Sequence, residues 1–385
     1  MRGRASPRRL RRVLVGAAVV VLLLVALLAA THPGRVAVKS LLLLPSAIEA
    51  IPVDPLRYVT PSPRRESFAY DYAAGTVEGD IYAPGTEGRH GALILILGAR
   101  PLDRDEPTLV RFAEGLSRAG AAVMIPASSA LATGRVLPEE VDAVVRAVEL
   151  LRARDDVDPD RIGILGFSVG GSVAVVAAGD PRLAGRLAFV NAFGSYSDSR
   201  DLVRAVATRS LAYAGIDEPW EPHPLTVWVL ARQLADTLPD PTDREILDRI
   251  YLQEDATARD EVDRMTPVGR AALGLLDGLP PAEAEVALAM LPEATQERLR
   301  GISPSLALDR VTARLFIMHD LGDHFIPYTE SRRMAQQAPP AILGRYTEFG
   351  LFDHVMPNKS LASVEFLVEL GKLVRQLYLV LLYVL

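Results

Sequence analysis

Ser168 is the residue whose surroundings carry the most chemistry. It sits in Gly166-Phe167-Ser168-Val169-Gly170, directly after the short apolar run Ile162 to Leu165 and directly before an Ala/Val-rich stretch. A serine on such a strand-to-helix elbow has its hydroxyl pushed clear of the sheet, and small neighbours flank it because the turn leaves no room for Cβ groups. The hydroxyl becomes a nucleophile when a base takes its proton. A neutral imidazole does this near pH 7 and later hands the proton to the leaving group. A carboxylate behind the imidazole fixes its tautomer and stabilises the imidazolium. The oxyanion that forms needs two aimed donors, each worth roughly 3 kcal/mol of barrier. Acyl transfer is the reaction such a set performs.

Downstream, Arg314 to His319 reads as a β-strand that empties into Asp320-Leu321-Gly322-Asp323-His324-Phe325-Ile326-Pro327. Here the chain resembles the α/β-hydrolase superfamily, whose seventh strand commonly ends in His-Gly-x-x-Asp-x-x-Val-Pro. The resemblance implies that Asp323 is the triad acid. Asp320 stands where the family usually has Gly, which puts a second carboxylate close by and keeps it as the alternative acid. The same resemblance implies the chain order serine, acid, histidine. Ala341 to Phe349 reads as the next strand, and His354 is the only histidine beyond His324, so His354 is the expected base. The backbone N–H of Val169 is one expected oxyanion donor. The other is expected from the loop after the strand Ala92 to Leu97, where Ala99 is best placed and Pro101 has no N–H. The family often has His-Gly where this chain has Leu97-Gly98, and Arg100 beside it is read as a solvated loop residue. The Tyr82-Ala83-Pro84 edge and the Asp158-Pro159-Asp160-Arg161 approach look most like dienelactone-hydrolase and prolyl-oligopeptidase-type esterases.

These residues need a scaffold, and the pattern supplies an α/β one. Glu66 to Tyr72 and Val77 to Tyr82 alternate like a hairpin on a sheet edge. Strands and helices then alternate: Ala92 to Leu97, a helix over Thr108 to Arg118, Ala121 to Pro126, a helix over Glu139 to Arg154, the nucleophile unit, and Leu187 to Ala192. Such alternation means a mostly parallel sheet flanked by helices on both faces. From about 195 to 305 the periodicity turns helical, with charges and prolines and no convincing strand, and the stretch is too long for an ordinary loop. It is read as a helical cap or lid insertion carrying Trp220 and Trp228. From Val364 to Gln376 the polar residues Glu365, Glu369, Lys372 and Gln376 fall on one face, as expected of a final helix docked on a sheet. Leu377 to Leu385, apolar apart from two tyrosines, either covers core surface or dips into a membrane interface.

At the other end, Arg2, Arg4, Arg8, Arg9, Arg11 and Arg12 precede the apolar run Val13 to Ala30, which as a helix would extend ~27 Å, close to one hydrocarbon core. It reads as an uncleaved transmembrane signal-anchor, with a cleaved signal peptide as the alternative. The arginines place the N-terminus in the cytoplasm and the catalytic domain on the outer face. A second apolar stretch, Leu41 to Ile51, is broken by Pro45 and followed by Pro52, and it either packs on the domain or forms a greasy collar near lipid. The expected organisation is tail and anchor over 1–35, linker or collar over 36–65, hydrolase core over 66–194, cap over 195–305, and the second part of the core over 306–385.

Composition narrows the function further. The net charge of −6 and the lack of a basic face past the arginine tail argue against a nucleic-acid partner. With no cysteine, disulfides, thiolate metal ligands and a cysteine nucleophile are excluded. No His-Glu-x-x-His segment and no Gly-Lys-Ser phosphate loop occurs, so neither metal nor cofactor is expected. The expected function is a membrane-anchored serine hydrolase that cleaves carboxylic esters of small molecules through an acyl-enzyme on Ser168. The alternatives are peptide hydrolysis or acyl transfer by the same triad, or a catalytically silent, membrane-tethered binding protein on the same fold.

Overall fold

Apolar residues alternate with period two along the central strands and so fill two cores at once. In the strand 90–96, Ala92, Ile94 and Ile96 enter one core while Leu93 and Leu95 enter the other; in 314–320, Leu315 and Ile317 are set against Phe316 and Met318 in the same way. The computed structural model describes residues 16, 30–48, 53–101, 103–350, 352–353, 356–357 and 364–385.

The strands are β1 (Arg64–Tyr72), β2 (Gly75–Ala83), β3 (His90–Ile96), β4 (Ala122–Ser128), β5 (Val157–Phe167), β6 (Phe189–Phe193), β7 (Ser210–Tyr213), β8 (Ile216–Pro219), β9 (Arg314–Asp320) and β10 (Leu343–Phe349). An eight-stranded sheet runs in the order β1-β2-β4-β3-β5-β6-β9-β10. β2 is antiparallel to both β1 and β4, and every other pairing in the sheet is parallel. The helices are α1 (His32–Leu43), α2 (Pro107–Ala119), α3 (Glu140–Arg152), α4 (Val169–Ala178), α5 (Ser199–Thr208), α6 (Pro224–Ala235), α7 (Pro241–Leu247), α8 (Pro267–Asp277), α9 (Pro281–Met290), α10 (Glu293–Gly301), α11 (Tyr328–Gln337) and α12 (Val364–Leu381). Their ends carry the usual signals. In α2 the Glu106 carboxylate accepts from Thr108 N at 3.0 Å and Leu109 N at 2.6 Å, Pro107 opens the helix, and Gly120 closes it at φ 114°.

α3, α4 and the insertion between β6 and β9 share one core, while α1, α2 and α12 share the other. The described part of the 41–51 stretch, residues 41–48, packs on the domain, with Leu43, Leu44 and Ile48 buried; residues 49–51 lie outside the described residues. The apolar C-terminal tip covers core surface, since Leu377, Val380, Leu381 and Val384 are buried in the same layer. The polar side of α12 is a correction. Gln376 is buried and donates to Asn191 Oδ1 at 2.8 Å, and Lys372 reaches Glu348 O at 2.9 Å, while Leu367 and Val368 stay exposed.

The 195–305 insertion is mainly helical, but it holds one strand pair that its sequence does not announce. β7 and β8 form a hairpin around Ala214-Gly215, both at positive φ, the backbone that a two-residue hairpin turn requires. The expected anchor, Val13 to Ala30, lies almost wholly outside the described residues. Among those described, no helix is long and apolar enough to cross a membrane.

Candidate active site

β5 ends at Phe167, α4 begins at Val169, and Ser168 between them sits at φ 55°, ψ −134°. A side-chain-bearing residue in that region costs on the order of 1–3 kcal/mol and persists only when its surroundings hold it. Here Ser168 N donates to Phe193 O at 2.7 Å, Gly171 N donates to Ser168 O at 3.0 Å, and the Ser195 hydroxyl donates to the same carbonyl at 3.0 Å. The flanking glycines are required by close approach. A Cβ on Gly170 would lie 2.4 Å from the carbonyl oxygens of Ile96 and Leu97, and one on Gly166 would lie 2.4 Å from Gly171 Cα. The turn after β3 passes beside Ser168, because a Cβ on Gly98 would sit 3.4 Å from Ser168 Oγ. Ala99, Val169 and Ser168 line one pocket of about 50 Å³. Val169 opens α4, so its N–H has no intrahelical acceptor.

The loop after β9 supplies the carboxylates. Asp323 is buried, and its Oδ1 accepts from Phe325 N at 2.7 Å and Ile326 N at 3.0 Å. Its Oδ2 lies 3.1 Å from Nε2 of the fully buried His319. That nitrogen is also 2.9 Å from Ile326 O, and His319 Nδ1 is 2.6 Å from Ser331 Oγ, so the ring is gripped from both sides. Asp320 Oδ1 instead accepts from Gly322 N within its own turn, at 2.9 Å. Phe325 and Ile326 line the same pocket as Ser168, which brings the Asp323 loop to that serine. β5 and β9 stand two strands apart, about 10 Å, which leaves room for one imidazole between serine and acid. His354 lies outside the described residues. The chain leaves β10 at Phe349, opposite Asp320, with Leu321 N donating to Phe349 O at 2.8 Å. Backbone pairing of Phe352 with Pro357 and of Asp353 with Met356 brackets position 354.

The 195–305 insertion forms one wall of the pocket through Leu202 of α5 and Leu225, Thr226, Val229 and Leu230 of α6. It is bonded to the loop after β9. Trp220 Nε1 donates to Asp323 O at 2.9 Å, His223 N to His324 O at 2.7 Å, and Thr226 Oγ1 to Phe325 O at 2.9 Å. The His223 ring stacks on Phe325 with centroids 3.9 Å apart. Sequence reasoning missed these bonds, whose partners are about a hundred residues apart, and it placed His319 only at the end of a strand. The i,i+4 spacing of His319 and Asp323 at a strand end was the available signal.

Two buried carboxyls stand apart from the nucleophile. Burial pushes Glu330 of α11 up to about 7, with the nearby Asp201 charge adding to the effect; it accepts from Ser197 N at 3.0 Å and Asp198 N at 3.1 Å at the entrance to the cap. Burial likewise pushes Glu140 up to about 7, although its Oε1 accepts from Tyr72 at 2.6 Å and Ser128 at 2.8 Å.

A sheet of this order, with Ser168 on a strand-to-helix elbow after β5 and Asp323 in the loop after β9, has the architecture of the α/β-hydrolase fold. No protein-family model matches the chain, and no curated protein matches it in sequence. Among solved structures it is similar to 2,6-dihydroxy-pseudo-oxynicotine hydrolase, with 15% identity, 86% of this chain and 73% of that one covered, and a TM-score of 0.48. It is also similar to a puromycin hydrolase (15% identity, 86% and 40% covered, TM-score 0.49) and to the Pyrococcus horikoshii acylaminoacyl peptidase (13%, 82% and 41%, TM-score 0.47). The chain thus spans about two-fifths of the length of those last two proteins.

Proposed function

We propose that this protein is a serine hydrolase that cleaves carboxylic esters through an acyl-enzyme on Ser168. One observation carries the reading: a serine held at φ 55° shares a pocket with Phe325 and Ile326, whose N–H groups fix the Asp323 carboxylate. In this reading Ser168 Oγ attacks the ester carbonyl while His354 takes its proton, and Asp323 stabilises the imidazolium. The N–H groups of Val169 and Ala99 receive the oxyanion. His354 then returns the proton to the leaving alkoxide, and water repeats the sequence to release the acid.

An ester is favoured over a peptide terminus by the pocket wall. Among the described residues that line it, Ser168 and Thr226 are polar and none is charged, so a terminal ammonium or carboxylate would be desolvated there without a partner. A fluorophosphonate probe tests the assignment. Labelling that Ser168→Ala abolishes is the expected result; folded protein that takes no label would make the chain a silent binding fold.

Membrane attachment through residues 13–30, with the catalytic domain on the outer face, belongs to the same proposal and rests on the arginine cluster ahead of that apolar run. Protease added to intact cells should digest the domain, and protection would overturn the orientation.

A further inference from the structure

We propose that the acyl group this pocket accepts is short and uncharged, from acetyl to about butanoyl, and that Val229 and Leu230 of α6 set the limit. The inference rests on the serine-hydrolase reading of Ser168 and deepens it to a substrate class. A cavity of about 50 Å³ holds roughly three to five water-sized units, which is the size of a two- to four-carbon acyl chain. Among the described residues that line it, those beyond Ser168 and Thr226 are alkyl or aromatic, with Leu202, Leu225, Val229, Leu230, Phe325 and Ile326 the larger ones. An ionised substituent laid against these side chains would lose its hydration and gain no charged partner from them.

The α6 wall is pinned at both ends. At the start of α6, Thr226 Oγ1 and His223 N donate to the acid loop at 2.9 and 2.7 Å, and the His223 ring lies on Phe325. Further along, Trp228 rests on Gly134, where a Cβ would come within 2.2 Å of its ring. Gln233 Nε2 donates to Gly134 O at 2.8 Å, and Arg135 pairs with Asp236 at 2.7 Å. A longer chain directed at α6 would have to lift it and break contacts to the loop that carries Asp323. Val229 and Leu230 stand one helical turn beyond Leu225 and Thr226, so all four share the face of α6 turned to the pocket.

The test is kcat/KM for p-nitrophenyl esters from acetyl to dodecanoyl, with a cationic aminoacyl ester alongside, measured with the full chain in detergent. Activity should peak between acetyl and butanoyl and fall about tenfold or more by hexanoyl. Leu230→Ala should move the peak at least two carbons longer while the protein remains labelled by a small fluorophosphonate. Leu230→Val and Val229→Ala should move it less and serve if the larger truncation does not fold. A wild-type peak at octanoyl or beyond, a preference for the cationic ester, or an unchanged profile in labelled Leu230→Ala would each overturn the proposal. Failure of the wild type to take the label overturns the nucleophile itself, and the size limit falls with it.

Discussion

The indole N–H of Trp220 donates to the backbone carbonyl of Asp323 across 2.9 Å, so the 195–305 insertion is bonded directly to the loop after β9. Trp220→Phe keeps most of the buried ring and removes only the donor, leaving a carbonyl short of a partner at a cost of about 1–3 kcal/mol. If the bond positions Asp323, kcat for a short ester should fall about tenfold with KM little changed, and fluorophosphonate labelling should slow in parallel. A variant that melts earlier but labels at the wild-type rate would show that the bond holds the cap alone.

Two carboxylates compete for the acid role, and their bonds separate them. Asp323 takes two loop N–H groups and faces His319, and its neighbours line the pocket; Asp320 takes Gly322 N within its own turn. Asp323→Asn should therefore lower kcat by about 10⁴, the scale of a triad left with the wrong imidazole tautomer. Asp320→Asn should cost less than about tenfold. A reversed order, measured on variants with matching circular dichroism, would move the acid to Asp320.

The sheet was legible because its central strands are apolar on both faces and end in turn residues, and the elbow was legible because Gly166 and Gly170 leave a mark that close packing requires. The β7–β8 hairpin was not, since Ala214-Gly215 lacks the Asn or Asp that usually signals two consecutive positive-φ residues. Gln376 looked like a solvent-facing residue on an amphipathic helix, and only the fold places Asn191 opposite it. The cap's bonds to the acid loop join segments about a hundred residues apart through backbone carbonyls, which carry no residue code at all.

Glu140 should make stability depend on pH with a definite sign. Burial raises its carboxyl to about 7 in the folded protein against a usual 4.5. Below 4.5 both states hold the proton and the fold has its full stability; between 4.5 and 7 the unfolded chain releases a proton that the fold retains, and stability falls. Glu140→Gln keeps an Oε1 acceptor for Tyr72 and Ser128 and carries no charge. The wild type should lose on the order of 1–3 kcal/mol more than this variant between pH 5 and pH 8, read from thermal melts. Glu330 shares the same sign and stays in both proteins, so part of the slope should survive. Equal losses in the two proteins would mean that Glu140 ionises in the fold without penalty.

Strain at the nucleophile predicts a trade of function for stability. At φ 55°, ψ −134° Ser168 occupies backbone space that glycine enters freely and other residues enter at about 1–3 kcal/mol. Ser168→Ala removes the hydroxyl and keeps the strain, whereas Ser168→Gly removes both. Glycine's larger unfolded-state entropy takes back about 0.5–1 kcal/mol, so the net gain of Gly over Ala should be roughly 0.5–2 kcal/mol. Both variants should lose turnover, and the glycine protein should melt a few degrees higher. If the two melt together, the bonds from Phe193, Gly171 and Ser195 hold a backbone that stores no strain, and the elbow is rigid for another reason.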